Sequence, residues 1–155
     1  MRRRKLLALL LAAVMTAGIL TACGGPGSSA GVTLNASKIE SLLEEQGVTA
    51  EVTADGDLSG AVAEVAAALA AYTFDQIEGL DVAEMVAQKA GVAPLVCEVY
   101  GDSYWVSTPL GYGSRREVTA AGLLDDLGSG AYSVAAARLV SQDGMKLALF
   151  VATAA

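Results

Sequence analysis

The chain has 155 residues, of which 17 are acidic, ten are Lys or Arg and none is His, and its formal net charge is −7 at pH 7. This length corresponds to one domain. The lack of histidine excludes Ser-His-Asp and Cys-His catalysis and zinc sites with histidine ligands. The acidic excess argues against nucleic acid as a partner, because such binding needs Lys and Arg against the phosphates.

The first 22 residues have the pattern of a secretory leader. Residues 2–5 are all basic, and residues 6–20 form an apolar run in which Thr16 is the only polar side chain. A basic segment, an apolar run and then small residues before a cleavage site are typical of a secretory signal. The run is short for a permanent membrane-spanning helix, which needs roughly 20 apolar residues.

The leader ends in Leu20-Thr21-Ala22-Cys23. This tetrapeptide resembles the lipobox of bacterial lipoproteins, in which an aliphatic residue and two small residues precede a cysteine. The resemblance covers residues 1–23 alone. It implies cleavage before Cys23, a diacylglyceryl group on its thiol, and a location outside the cytoplasm at the bacterial cell membrane. The alternatives are an uncleaved membrane helix and ordinary secretion with a chance cysteine.

Removal of the leader makes the protein more acidic. The leader holds four of the ten basic residues and no acidic one, so the remaining 133 residues carry a formal charge of −11. This charge argues against binding to anionic lipid headgroups through electrostatic attraction. With Cys23 acylated, Cys97 has no cysteine partner, so we expect no disulfide and interpret Cys97 as a small buried hydrophobic side chain.

Residues 24–31, GGPGSSAG, predict a flexible tether between lipid and domain. The expected organisation is therefore a signal peptide at 1–22, the lipidated cysteine and tether at 23–34, and a single domain at 35–155.

The domain begins with a helix, a strand and two further helices. Capping-box spacing from Ser37 to Glu40 begins the first helix, and residues 48–53 alternate apolar and polar side chains as a strand does. Apolar residues recur at helical spacing through the alanine-rich stretch 59–72. Another helix starts at Asp81, after a short connector.

Hairpin patterns follow. Residues 95–100 and 104–108 predict one hairpin, and residues 132–140 and 145–153 predict a second, with a short helix from Thr119 between them. Both faces of the last strand are apolar, so we expect it inside the sheet. The pattern predicts an α+β fold with an antiparallel sheet of about four or five strands and helices on one face.

The most suggestive loop is residues 109–117. Its glycines would let the backbone approach a ligand, and its paired arginines could bind a carboxylate or phosphate. The alternative is a turn whose arginines pair with surface carboxylates. Nearby aromatic residues could stack on sugars or accept a partner's apolar side chain, or belong to the core. The candidate ligand-binding residues are Gly111, Gly113, Arg115, Arg116, Tyr104, Trp105 and Tyr112.

No pattern in the sequence predicts a catalytic or metal site, and we expect no cofactor. The side chains of Glu44-Glu45 and of Asp125-Asp126 diverge by about 100° on a helix, so neither pair converges on its own. Asp55-Gly56-Asp57 resembles the middle of a calcium loop but lacks the downstream glutamate, so we interpret it as a turn.

The predicted function is therefore a lipid-anchored envelope protein whose domain binds a partner protein or cell-wall ligand, or has a structural role, without catalysis. Two alternatives stay open. One is a hydrolase or transferase on envelope polymers that uses two carboxylates brought together by the fold. The other is a small accessory or inhibitor protein for an envelope complex.

Overall fold

The computed structural model describes residues 25–101 and 115–155. Its strands are β1 (Ser29–Val32), β2 (Ala50–Ala54), β3 (Val96–Gly101), β4 (Gly130–Val140) and β5 (Lys146–Ala154). Its helices are α1 (Ala36–Glu45), α2 (Gly56–Leu69), α3 (Phe74–Glu78), α4 (Val82–Ala90) and α5 (Arg115–Asp125). This arrangement confirms the α+β class predicted from the sequence.

β4 and β5 form the centre of a five-stranded sheet. They make the predicted second hairpin, and β5 pairs antiparallel with β4 on one side and β3 on the other. The last strand therefore does lie inside the sheet. Of the first predicted hairpin, β3 is confirmed as a strand, and residues 104–108 lie outside the described residues.

β1 and β2 share the other edge of β4. β1 pairs antiparallel with residues 136–139, and β2 pairs parallel with residues 130–134. The sequence predicted an antiparallel sheet because only the hairpin patterns were considered. The parallel pairing of β2 with β4 corrects that prediction. β2 and β4 each follow a helix that packs on the same face of the sheet. Both helices lead into their strands from the same end of the sheet, so the two strands run in the same direction.

The helices cover both faces of the sheet, whereas the sequence analysis placed them on one. α1 and α5 pack over the face that carries Val134 and Phe150. α2, α3 and α4 pack over the opposite face, which carries Leu149 and Val151. Because both faces of β4 and β5 are apolar, a helical layer on each face is needed to remove them from water.

Much of the predicted tether belongs to the folded domain. Residues 29–32 form β1, Ser28 is buried, and Leu34 is part of the core under α1. The Val140 N–H donates to the Ser28 carbonyl at 2.8 Å, and the Gly27 N–H donates to the Val140 carbonyl at 2.9 Å. Composition predicted flexibility here, but the long β4 offers an edge on which these small residues can pair. The folded domain therefore starts well before residue 35.

Helix starts were predicted to within a few residues. Asn35, two residues before the predicted start, is the N-cap of α1 and accepts from the Lys38 N–H at 3.1 Å. Asp81 caps α4 as predicted. The connector after α2 contains the short helix α3, which Thr73 begins with a capping box. α5 starts at Arg115, four residues before Thr119.

The layers on both faces predict that two neighbouring residues of β5 are both costly to truncate. Phe150 and Leu149 are both fully buried but face opposite cores. We expect Phe150→Ala to cost about 3–5 kcal/mol and Leu149→Ala about 2–5 kcal/mol of unfolding free energy in urea titrations. Lys146 is exposed on the same strand. Lys146→Ala is therefore the control and should change the unfolding free energy by less than about 0.5 kcal/mol. A small cost at either position would contradict the helical layer on the face to which that side chain points.

Candidate functional site

The predicted ligand-binding loop is described only at its C-terminal end. Tyr104, Trp105, Gly111, Tyr112 and Gly113 lie outside the described residues. The backbone of Arg115 begins α5, and Arg116 is the next residue of the helix. Ligand binding by this loop therefore stays a prediction. Leu20, Thr21, Ala22 and Cys23 also lie outside the described residues.

Arg116 forms an ion pair with the neighbouring residue of α5. Its Nε lies 3.3 Å from Oε1 of Glu117. The Arg116 side chain is 38 % exposed, but that of Glu117 is only 4 % exposed. Pairing of the arginines with surface carboxylates was one expectation from the sequence, but the carboxylate paired with Arg116 is a buried one.

Glu117 connects α5 to the start of α1. Its Oε1 also accepts a hydrogen bond from the backbone N–H of Asn35 at 3.2 Å. Its Oε2 is also buried, and no group among the described residues forms a hydrogen bond with it. Burial of a carboxylate is costly unless the group is paired, so the ion pair and the Asn35 hydrogen bond offset part of this cost. We therefore assign Glu117 a structural task at the junction of the two helices.

The two acidic pairs lie at the same end of the sheet. They belong to matching hexapeptides, Leu42-Leu43-Glu44-Glu45-Gln46-Gly47 and Leu123-Leu124-Asp125-Asp126-Leu127-Gly128. Each hexapeptide closes its helix at a glycine with positive φ, +81° and +82° respectively. The Gly130 N–H donates to the Thr49 carbonyl at 3.2 Å, which joins the two segments just beyond these glycines. This repeat was not predicted, although the shared spacing of leucine, acidic residue and glycine is visible in the sequence.

The exposed carboxylates at this end form what we call the acidic end, which consists of Glu44, Glu45, Asp125 and Asp126. In residues 25–101 and 115–155, no three Cys, Asp or Glu side chains are grouped so as to hold a metal ion. Asp55, the other acidic motif, caps α2 by accepting from the N–H groups of Asp57 and Leu58. The sequence pattern predicted a turn here, whereas the motif forms the start of α2.

Cys97 has the environment of a packed apolar side chain. It lies in β3, is partly buried, and packs against the core beneath α4. Burial, with smaller contributions from the charges of Glu98 and Asp81, raises the pKa of its thiol from 9.0 to about 11. A nucleophilic cysteine needs the opposite shift, so the interpretation of Cys97 as a small hydrophobic residue is supported.

We call the opposite end of the sheet the turn end. It consists of the β4–β5 turn (residues 141–145), residues 25–28 and Tyr72. The Gln142 N–H donates to the Tyr72 carbonyl at 2.9 Å. Asp143 accepts from the Ser141 hydroxyl and, at 3.0 Å, from the Phe74 N–H. The hydrogen bond from Ser141, and to a smaller extent that from Phe74, lowers the pKa of the Asp143 carboxyl. Tyr72 and Met145 are large side chains left exposed here, at 39 % and 45 %.

Comparisons with protein-family models, with curated proteins and with solved structures find no match to this chain. Within the described ranges, every helix is too short or too polar to cross a bilayer.

The assigned role of Glu117 predicts different costs for two substitutions. Glu117→Ala removes the acceptor of the Asn35 N–H and should lower the unfolding free energy by about 1–3 kcal/mol. Glu117→Gln keeps an acceptor oxygen and removes a buried charge, so its cost should be less than about 1 kcal/mol. Urea titrations of both variants measure the difference. If Gln were as costly as Ala, the charge and not the acceptor would hold the junction.

The raised pKa of Cys97 predicts a loss of stability in alkali. The folded protein holds the thiol proton more tightly than the unfolded chain, so unfolding free energy should fall as pH rises from 9.0 towards about 11. Burial raises the pKa of Tyr100 and adds a loss of the same sign. Cys97→Ala should make the decline less steep in denaturant titrations at pH 8 to 11. An identical decline would show that the thiol does not contribute.

Proposed function

We propose that this protein is a lipid-anchored protein of the bacterial cell envelope, acylated at Cys23. Its α+β domain would lie outside the cytoplasm and act as a non-catalytic binding or structural module. The observation that carries the proposal is the sequence Leu20-Thr21-Ala22-Cys23 after a basic and then apolar leader. Two acyl chains on one cysteine would hold the protein stably in a membrane.

The position of the domain supports this proposal. β1 begins at Ser29, six residues beyond Cys23. Cleavage before Cys23 would leave this strand, and the edge of β4 with which it pairs, in the mature chain.

The roles of Glu117 and Cys97 support a non-catalytic module. Glu117 holds Asn35 and Arg116 together, and Cys97 is packed with its thiol protonated. Each group has a structural explanation from its own contacts.

The two cysteines provide a matched test of acylation. The full chain is expressed in a bacterial host as wild type, Cys23→Ser and Cys97→Ser, followed by membrane fractionation and intact mass spectrometry. We expect wild type and Cys97→Ser in the membrane fraction, without residues 1–22 and with the mass of the added lipid. Cys23→Ser should carry no lipid mass. An unmodified Cys23 thiol in the wild-type product would contradict the proposal.

A further inference from the structure

The folded domain begins very close to the proposed lipid. Gly25 is two residues beyond Cys23, and consecutive Cα atoms are about 3.8 Å apart, so the Cα atoms of these two residues lie within about 8 Å of each other. Gly25 is itself fixed, because its carbonyl accepts from the Ser28 N–H at 3.2 Å and from the Ser28 hydroxyl. The short connection leaves the domain little freedom to move away from the membrane.

Residues 25–28 are hydrogen-bonded to the last residue of β4, at the turn end. The Gly27 N–H donates to the Val140 carbonyl at 2.9 Å, and Val140 is the last residue of β4. Acyl chains on Cys23 would therefore enter the bilayer within about 15 Å of Gly27, since four Cα–Cα steps separate the two residues. The turn end is thus the part of the described sheet closest to the lipid.

We propose that the turn end lies against the lipid surface and contacts it through Tyr72 and Met145. This inference rests on the proposed acylation of Cys23. Tyrosine suits the headgroup region, where its ring is apolar and its hydroxyl stays hydrated. Methionine offers a flexible apolar side chain to the same layer. Their exposed fractions, 39 % and 45 %, provide the surface for this contact.

The contact is interfacial and not driven by charge. Lys146 is exposed beside Met145, but Asp143 on the turn and Asp75 at the start of α3 are exposed as well. These charges do not sum to a positive patch. Zwitterionic lipid should therefore be sufficient, because the contact itself needs no attraction between opposite charges. A weak contact is enough, because the lipid on the same chain holds the surfaces at high effective concentration.

The acidic end favours the same orientation. β4 has eleven residues, from Gly130 beside the acidic end to Val140 at the turn end. At about 3.3 Å per residue the two ends are roughly 33 Å apart. Anionic headgroups in a natural membrane repel the four carboxylates and favour the orientation that keeps them far from the surface.

The test uses the full chain, purified as the lipidated protein and reconstituted into phosphatidylcholine vesicles. A fluorophore is attached to Met145→Cys or Tyr72→Cys at the turn end, and to Leu127→Cys beside the acidic end, each in a Cys97→Ser background. Leu127 is a matched control because its side chain is also apolar and 37 % exposed. A nitroxide on the lipid headgroup quenches only fluorophores near the surface. We expect quenching at positions 145 and 72 to exceed that at 127 by about threefold or more, given the separation of roughly 33 Å.

Two further measurements separate the possible failures. Intact mass is read first, because an unmodified Cys23 would overturn the acylation and this inference with it. A lipidated protein with equal quenching at 145, 72 and 127 would overturn the orientation alone. Insertion of a Gly/Ser segment between Gly24 and Gly25 should bring quenching at 145 down to the level at 127. Unchanged quenching after insertion would show that side-chain contact is sufficient without the short connection. That result would overturn the inference that the short connection sets the orientation of the domain.

Discussion

The structure depends on the pairing of β4 with three other strands. Along one edge it pairs with β5, and along the other it pairs with β1 near its end and β2 near its start. Residues 132–137 are all buried, so both faces of the strand contribute to the cores. Every layer of the domain is thus fixed by one strand of eleven residues. The same strand sets the distance between the turn end and the acidic end.

The elements with strong local patterns could be predicted from the sequence. The two apolar faces of β5 predicted its central position, Asp81 predicted the start of α4, and the surroundings of Cys97 predicted a packed side chain. Each of these features is determined by residues close together in the chain. The helical stretch around α2 was predicted for the same reason.

The features that the sequence analysis missed depend on residues far apart in the chain. Glu117 contacts Asn35 across 82 positions, and such a contact leaves no periodic pattern. β1 has the composition of a linker and becomes a strand only because β4 offers it an edge. The second helical layer follows from apolar residues on both faces of β4 as well as β5, and the sequence analysis considered only β5 in that way.

The pairing of β1 with β4 also bears on the order of events in the proposed export and acylation. Ser29 pairs with Leu139, so β1 cannot join the sheet until more than a hundred later residues have emerged. Contacts at such separation form late, because loop closure is costly in entropy. Under the proposed acylation, with the N-terminus exported first, the segment next to Cys23 would therefore stay unpaired while lipid is attached and the leader is removed. Pairing with β4 would then fix the segment at the edge of the sheet once processing is complete.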